Sequence, residues 1–404
     1  MPRLRALYLL VVAIGVFFVP SVELVGAVAT AQLIALLVLR VPLTTITRTL
    51  RKLFLFLAVI IVAYALVEGD PGSAVWQTVT LGPWQIDVNR TGALEGLTMV
   101  LRVIAVVLAS NVARVGDPRA LAAGLGSLGI PKKAALALDA VLVLLGDGDR
   151  KGKGGGGGGG GRGGGGGKRS RLSRFWRRLK RLGSGDVSAL TDPLLHHIAR
   201  VERYIAGNTE GEPGDAKARA FAREVAVIAG ISLTMLGIKM LKLLPGLPFA
   251  PGHKGVLLIP LYFAARALGK SRFAATLTGL TMGTAAFLLG DGRWGVFEIA
   301  KHVAPGLLVD LLMPLLLRAP ARASVLAWSL VGTIVALGRF ATVTAIALTV
   351  QAPALVFAFL IPGLLIHGIF GALSGIVTAP LVRALLRGPP ANNLTDSENQ
   401  TEEE

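Results

Sequence analysis

The chain has no cysteine among its 404 residues. Disulfides, thiolate metal sites and cysteine nucleophiles are therefore excluded. Charge is scarce as well. Only 16% of residues are Asp, Glu, Lys or Arg, against about a quarter in soluble domains. Acids are the scarcer sign, 24 against 42 Lys and Arg, giving a formal net charge of +18. The five histidines show no H-x-x-x-H or H-E-x-x-H spacing, so the helical metalloenzyme pattern is missing.

Apolar residues fill the space. They make up 53% of the chain and come in long runs rather than stripes: "LYLLVVAIGVFFV", "LIALLVL", "LFLFLAVIIVAYALV" and "VLAWSLVGTIVALGRFATVTAIALTV". Such runs read as membrane-spanning helices, singly or as hairpins. The expected fold is all-α and polytopic, about ten transmembrane helices in two blocks, in a prokaryotic plasma membrane. The first run follows Arg3 and Arg5, as a signal peptide would, but no small-residue cleavage site follows and Pro20 breaks it. The reading is a retained helical hairpin.

The positive charge is local. Twelve Lys or Arg and no acid lie between Arg150 and Arg181; without that block the net charge falls from +18 to +6. That remainder suits a membrane protein with basic cytoplasmic loops and gives no case for a nucleic-acid partner.

Segment 1–146 is expected to be a first membrane block, with helices near 7–19, 22–39, 53–67 and 93–113. Arg40, Arg48, Arg51 and Lys52 put the second loop in the cytoplasm. Residues 68–92 then form an outer loop, with Trp76 and Trp84 at headgroup level. In "GDPRALAAGLGSLGIPKK", Asp117 and Pro118 start a short helix that Gly129 and Pro131 stop. Segment 147–171 is a Gly/Lys/Arg-rich tether. Segment 172–214 holds cytoplasmic amphipathic helices, 215–388 a second block of about six spans, and 389–404 a disordered acidic tail.

The tether, "KGKGGGGGGGGRGGGGGKRSR", invites a phosphate-loop reading. That loop needs G-x-x-x-x-G-K-[ST], but Gly167-Lys168 is followed by Arg169, so the metal-binding hydroxyl is missing. No buried strand leads into it, and thirteen glycines around one Arg hold no fixed conformation. The chain carries no visible ATPase and implies no cofactor.

Beyond the tether, Leu172, Phe175, Trp176, Leu179 and Leu182 make a helical stripe among cations that include Arg177 and Arg178. This helix suits an anionic lipid surface or a partner protein better than nucleic acid. In "TDPLLHHIARVERYI", Asp192 is expected to cap and Pro193 to open a second amphipathic helix, lined by Leu194, Leu195, Ile198, Val201 and Ile205; His196 and His197 fall on its solvated side. Ala218, Ala222 and Ala226 recur every four residues, which permits close helix contact and also suits an ordinary alanine-rich helix. Ionisable residues inside spans are costly and often functional. Arg102 is one. Glu298, Lys301, His302 and Asp310 form either a substrate-facing cluster or, for the first three, a paired group at the headgroup boundary.

The stretch "DVNRTGALEGLTMVLRVIAVVLASNVARVGDPRALAAGLGSLGIP" resembles the transmembrane T component of energy-coupling factor (ECF) transporters, the CbiQ-type family. The match rests on G-x-x-x-x-L-R from Gly96 to Arg102, the small polar residues that end that helix, and the DP…LGIP segment. The resemblance implies a subunit that bridges a substrate-capturing S component to two cytoplasmic ABC ATPases. Coupling helices ending in Ala-Arg-Gly press on those ATPases. Segments 168–182 and 193–206 stand where such helices belong, which makes Phe175, Trp176, Arg177, Arg178, Leu179, Leu195, Ile198 and Arg200 the coupling candidates. The signature is only approximated, by Gly161–Gly163 and Ala218–Ala220.

The second block looks like a six-helix S component fused behind, with Ala218, Ala222 and Ala226 as its T-facing stripe. On this reading the chain imports a vitamin, a cofactor precursor or a trace metal ion. It binds ATPase subunits and membrane lipid, admits a separate S component, and is not itself an enzyme. The alternative is an ATP-independent membrane scaffold that recruits partners to a basic cytoplasmic face.

Overall fold

The structure is a computed structural model that describes residues 2–66, 75–81, 84–113, 115, 118–154, 188–206, 216–240, 255–288, 296–317, 324–350, 353–358 and 360–387. Residues 147–154 of the expected tether continue a helix, while the glycine tract beyond Gly154, the cationic stripe around Trp176 and the C-terminal tail lie outside the described residues. So do Asp117, Gly161–Gly163 and the side chain of Glu298.

Fourteen α-helices and one hairpin are described. In the first block they are α1 (Pro2–Gly15), α2 (Val22–Val38), α3 (Leu43–Leu66), β1 (Trp76–Leu81), β2 (Trp84–Asn89), α4 (Arg90–Ala113), α5 (Pro118–Ser127) and α6 (Lys132–Gly154). There follow α7 (Ser188–Ala206), α8 (Ala216–Met240), α9 (Gly255–Leu268), α10 (Ala274–Leu288), α11 (Phe297–Leu317), α12 (Val325–Val350), the short α13 (Pro353–Ala358) and α14 (Leu360–Arg387). Among the described residues five helices are long and apolar enough to cross a membrane: Arg90–Ala113, Ala216–Lys239, Ile299–Leu316, Val325–Thr349 and Leu360–Arg387. Three shorter apolar helices, α2, α9 and α10, join them. The fold is all-α and polytopic.

The breaks have local causes. Ser21 caps α2, its hydroxyl accepting from the Leu24 N–H at 3.3 Å. At the far end of α2, Arg40 turns to φ 55°, and Val41 N–H bonds back to the Leu36 carbonyl. This is a helix-ending turn usually given to glycine. Gly129 makes the same turn after α5 at φ 106°, with Ile130 N–H bonded to the Leu125 carbonyl. The sequence places that stop correctly. It misses the hairpin, because residues 68–92 carry turn signals at both ends. Trp76 pairs with Asn89 and Leu81 with Trp84, so the middle of the expected loop is an antiparallel ribbon. Asn89 is buried and caps α4 through Gly92 N–H at 3.1 Å.

Pro193 is a second difference. It lies inside α7, which begins at Ser188. The proline forfeits only the bond to the Ala189 carbonyl in the first turns, so the helix continues upstream past Asp192.

Within the first block, α4 packs on α1, α2 and α3. Gly96 lets α4 lie against Tyr64 and Ile61, where an added Cβ would come within 3.1 Å of the Ile61 Cα. Arg102 reaches from α4 to the Val19 carbonyl at 2.7 Å. That carbonyl lies in the break between α1 and α2. Arg102 thus satisfies a backbone group that the break would leave bare inside the membrane.

One apolar core runs from Ala6 to Val382. Its centre is α8, which packs on α6, α7, α9 and α10; 78% of its apolar window is buried, against 28% for α14. Beyond α8, α9 packs on α14, α10 on α11, and α11 on α12, while α12 and α14 pair at the rim.

Candidate functional site

Of the capture candidates, Lys301 and His302 are neighbours in the first turns of α11. His302 is buried, and its Nδ1 lies 3.0 Å from the Tyr262 hydroxyl of α9. Asp310 is eight residues further on, about 12 Å along the helix, and it faces other groups. One carboxylate oxygen accepts from Ala275 N–H at 3.1 Å; the other accepts from Thr276 N–H at 2.7 Å and from the Thr276 hydroxyl at 2.6 Å. Arg266 Nε stands 3.8 Å away. Asp310 therefore caps the start of α10 from a neighbouring helix, satisfying N–H groups with no partner inside their own helix. The structure does not bring it together with Lys301 and His302.

Of the coupling candidates, Phe175, Trp176, Arg177, Arg178 and Leu179 lie outside the described residues. In α7, Leu194, Ile198 and Val201 are buried, and Ile198 packs where a Cβ on Gly230 of α8 would collide. Arg200 donates to the Leu144 carbonyl at 3.5 Å, and the Tyr204 hydroxyl to Asp139 at 3.3 Å. Leu195 stays exposed. Among Leu195, Ile198 and Arg200, only Leu195 presents its side chain outward.

His197 departs from the sequence expectation. It sits one position before buried Ile198 and three after buried Leu194, on the flank of the stripe. It is half-buried, and its Nδ1 has no hydrogen-bond partner among the described residues. Burial, and then the His196 and Arg200 charges, hold its pKa below the usual imidazole value.

Ala218 is exposed, Ala222 half-buried and Ala226 fully buried. The stripe thus enters the core only at its last member. Two residues before Ala226 on the same helix, Glu224 is only 7% exposed. It receives Lys133 of α6 and, at 2.9 Å, the Ser271 N–H from the turn between α9 and α10. Sequence reading passed over Glu224, Tyr262 and Arg339. Arg339 had a visible signal, a lone cation inside the apolar run of α12. Tyr262 had none, because only the folded helices bring it to His302.

Residues 1–145 match the family model described as "CbiQ: Cobalt transport protein". No curated protein and no solved structure matches the chain.

Proposed function

We propose that this multi-pass cell-membrane protein is the membrane subunit of an ECF-type importer. Its first block is of the CbiQ transport type, and the match over residues 1–145 carries the reading. Separate ATPase subunits hydrolyse ATP, and the chain transmits their movement through the segment around Trp176 and through the exposed face of α7 at Leu195. The second block captures a vitamin, cofactor precursor or trace metal ion. Glu298, Lys301 and His302 of α11 are its capture residues, and Asp310, about 12 Å further along that helix, holds the start of α10 in place. Ala226 belongs to the seam between the blocks.

The buried α8 supports this assignment. It touches α6 of the first block and α9 and α10 of the second, so movement of one side reaches the other. The test is co-purification with an ABC ATPase pair, followed by nucleotide-dependent uptake in vesicles. Trp176→Ala with Leu179→Ala should weaken ATPase association. Normal association and transport in the double variant would remove the coupling role of that segment.

A further inference from the structure

The ribbon of β1 and β2 leaves one edge open. The Val75 carbonyl accepts from Arg90 N–H at 2.8 Å, so these two residues make a hydrogen-bonded pair one step before Trp76 and Asn89. Pairs of that kind alternate along an antiparallel ladder. Residues 77, 79 and 81 therefore turn their backbone groups toward β2. The N–H and C=O groups of Trp76, Thr78 and Thr80 point the other way. Among the described residues the sheet has no third strand, and no other backbone group bonds to those three.

The ribbon also has an outer side. β2 packs on α3 and α4, which leaves β1 as the outer strand. Thr78 and Thr80 share a face with their cross-strand partners Asp87 and Gln85, and all four are exposed. Natural sheets usually blunt such an edge with a charge, a proline or a bulge. Residues 76–81, WQTVTL, carry neither charge nor proline, and their register runs without a bulge. A two-stranded ribbon is marginal by itself; a firm sheet takes three strands or more.

The edge is complementary to itself. Thr78 is the middle one of the three outward residues. Antiparallel pairing about a two-fold axis through Thr78 sets Trp76 against Thr80 of the second copy, Thr78 against its own equivalent, and Thr80 against Trp76 of the second copy. Each pair exchanges two bonds, and no like charges meet. Two copies inserted the same way share an axis along the membrane normal. A ribbon laid across the ends of α3 and α4 meets its copy antiparallel about that axis.

We propose that the open edge of β1 is an interface between two copies of this chain, closing into a four-stranded sheet. The proposal is independent of the coupling role. The ribbon and α5 stand at opposite ends of the 24-residue α4, about 36 Å apart.

The experiment is oxidative crosslinking of the full chain in liposomes. The chain has no cysteine, so each introduced thiol reports alone. Thr78→Cys should give a covalent dimer, because the two Cα atoms stand about 5.5 Å apart across the axis, within disulfide reach. Gln85→Cys, on the far strand and roughly 14 Å or more from its equivalent, should stay monomeric. Thr80→Pro removes an outward N–H that β2 does not use. Added to Thr78→Cys, it should lower the crosslinked fraction about fivefold, while Thr80→Val leaves that fraction unchanged. Light scattering on detergent-purified chain gives a second measurement. Thr78→Lys gains Asp87 as a cross-strand partner in its own ribbon but faces a second lysine across the axis. It should be monomeric where Thr78→Val is dimeric. The proposal is overturned if Thr78→Cys stays monomeric, if Gln85→Cys crosslinks equally well, or if Thr80→Pro and Thr78→Lys leave association unchanged. Loss of ATPase association in other variants does not bear on this result.

Discussion

Asp310 shows how much one side chain can settle. Its carboxylate serves three donors at the start of α10 and faces Arg266. Asp310→Ala should cost about 3 kcal/mol, because it strands two N–H groups at the start of α10 and a half-buried guanidinium. Asp310→Asn keeps one acceptor and should cost less. Thermal melts without substrate check this, and an unchanged Tm in the alanine variant would return Asp310 to a purely substrate-facing role. His197 gives a pH signature. Its folded pKa lies below the ordinary 6.5, so the unfolded chain binds the proton more readily. Stability is fully present above pH 6.5 and declines as pH falls below it. The wild-type Tm should drop between pH 7 and pH 5 by more than that of His197→Gln. Parallel curves would show that the imidazole does not titrate across unfolding.

Helices and their contacts carry the next level. In α14, Gly371 and Gly375 lie one turn apart and face α12. A Cβ on Gly375 would collide with the Trp328 carbonyl, and one on Gly371 would stand 2.7 Å from the Thr333 Cα. Small residues allow this approach in lipid, where association depends on packing rather than on water. Gly371→Leu or Gly375→Leu should therefore separate α12 from α14. A cysteine pair placed across the two helices should lose its disulfide crosslinking, while the substitution Gly368→Leu, at a position with open space around it, should leave crosslinking intact.

Most helices were legible in the sequence for a simple reason. Apolar runs such as 22–39 and 93–113, punctuated by Pro20, Gly129 and Pro131, record local constraints. The hairpin at 76–89 was hidden because strand pairing depends on a register that turn residues alone do not give. The start of α7 was hidden because Asp192-Pro193 makes a plausible cap and a tolerable early interior pair alike. In the candidate site, Lys301 and His302 stood out as charges in a span. Asp310 stood out equally, but its capping of another helix is a tertiary fact. Tyr262 and Glu224 acquire their partners only across helices 40 and 91 positions away.

For the whole molecule, the decisive contact is Lys133–Glu224–Ser271, which ties α6 to α8 and to the turn before α10. Glu224 is buried, so its partners are strongly felt. Lys133→Glu and Glu224→Lys should each destabilise the chain, and the reversed pair should recover a coupling of roughly 1 kcal/mol in a double-mutant cycle. Additive effects would mean that the ion pair does not join the two blocks.

Because α8 lines both halves, an importer built on this plan has no removable cartridge. On the proposed function its receptor half would not leave, sample other complexes and return laden. Each complex would then serve its own cargo, and release would depend on rearrangement among the peripheral α11, α12 and α14.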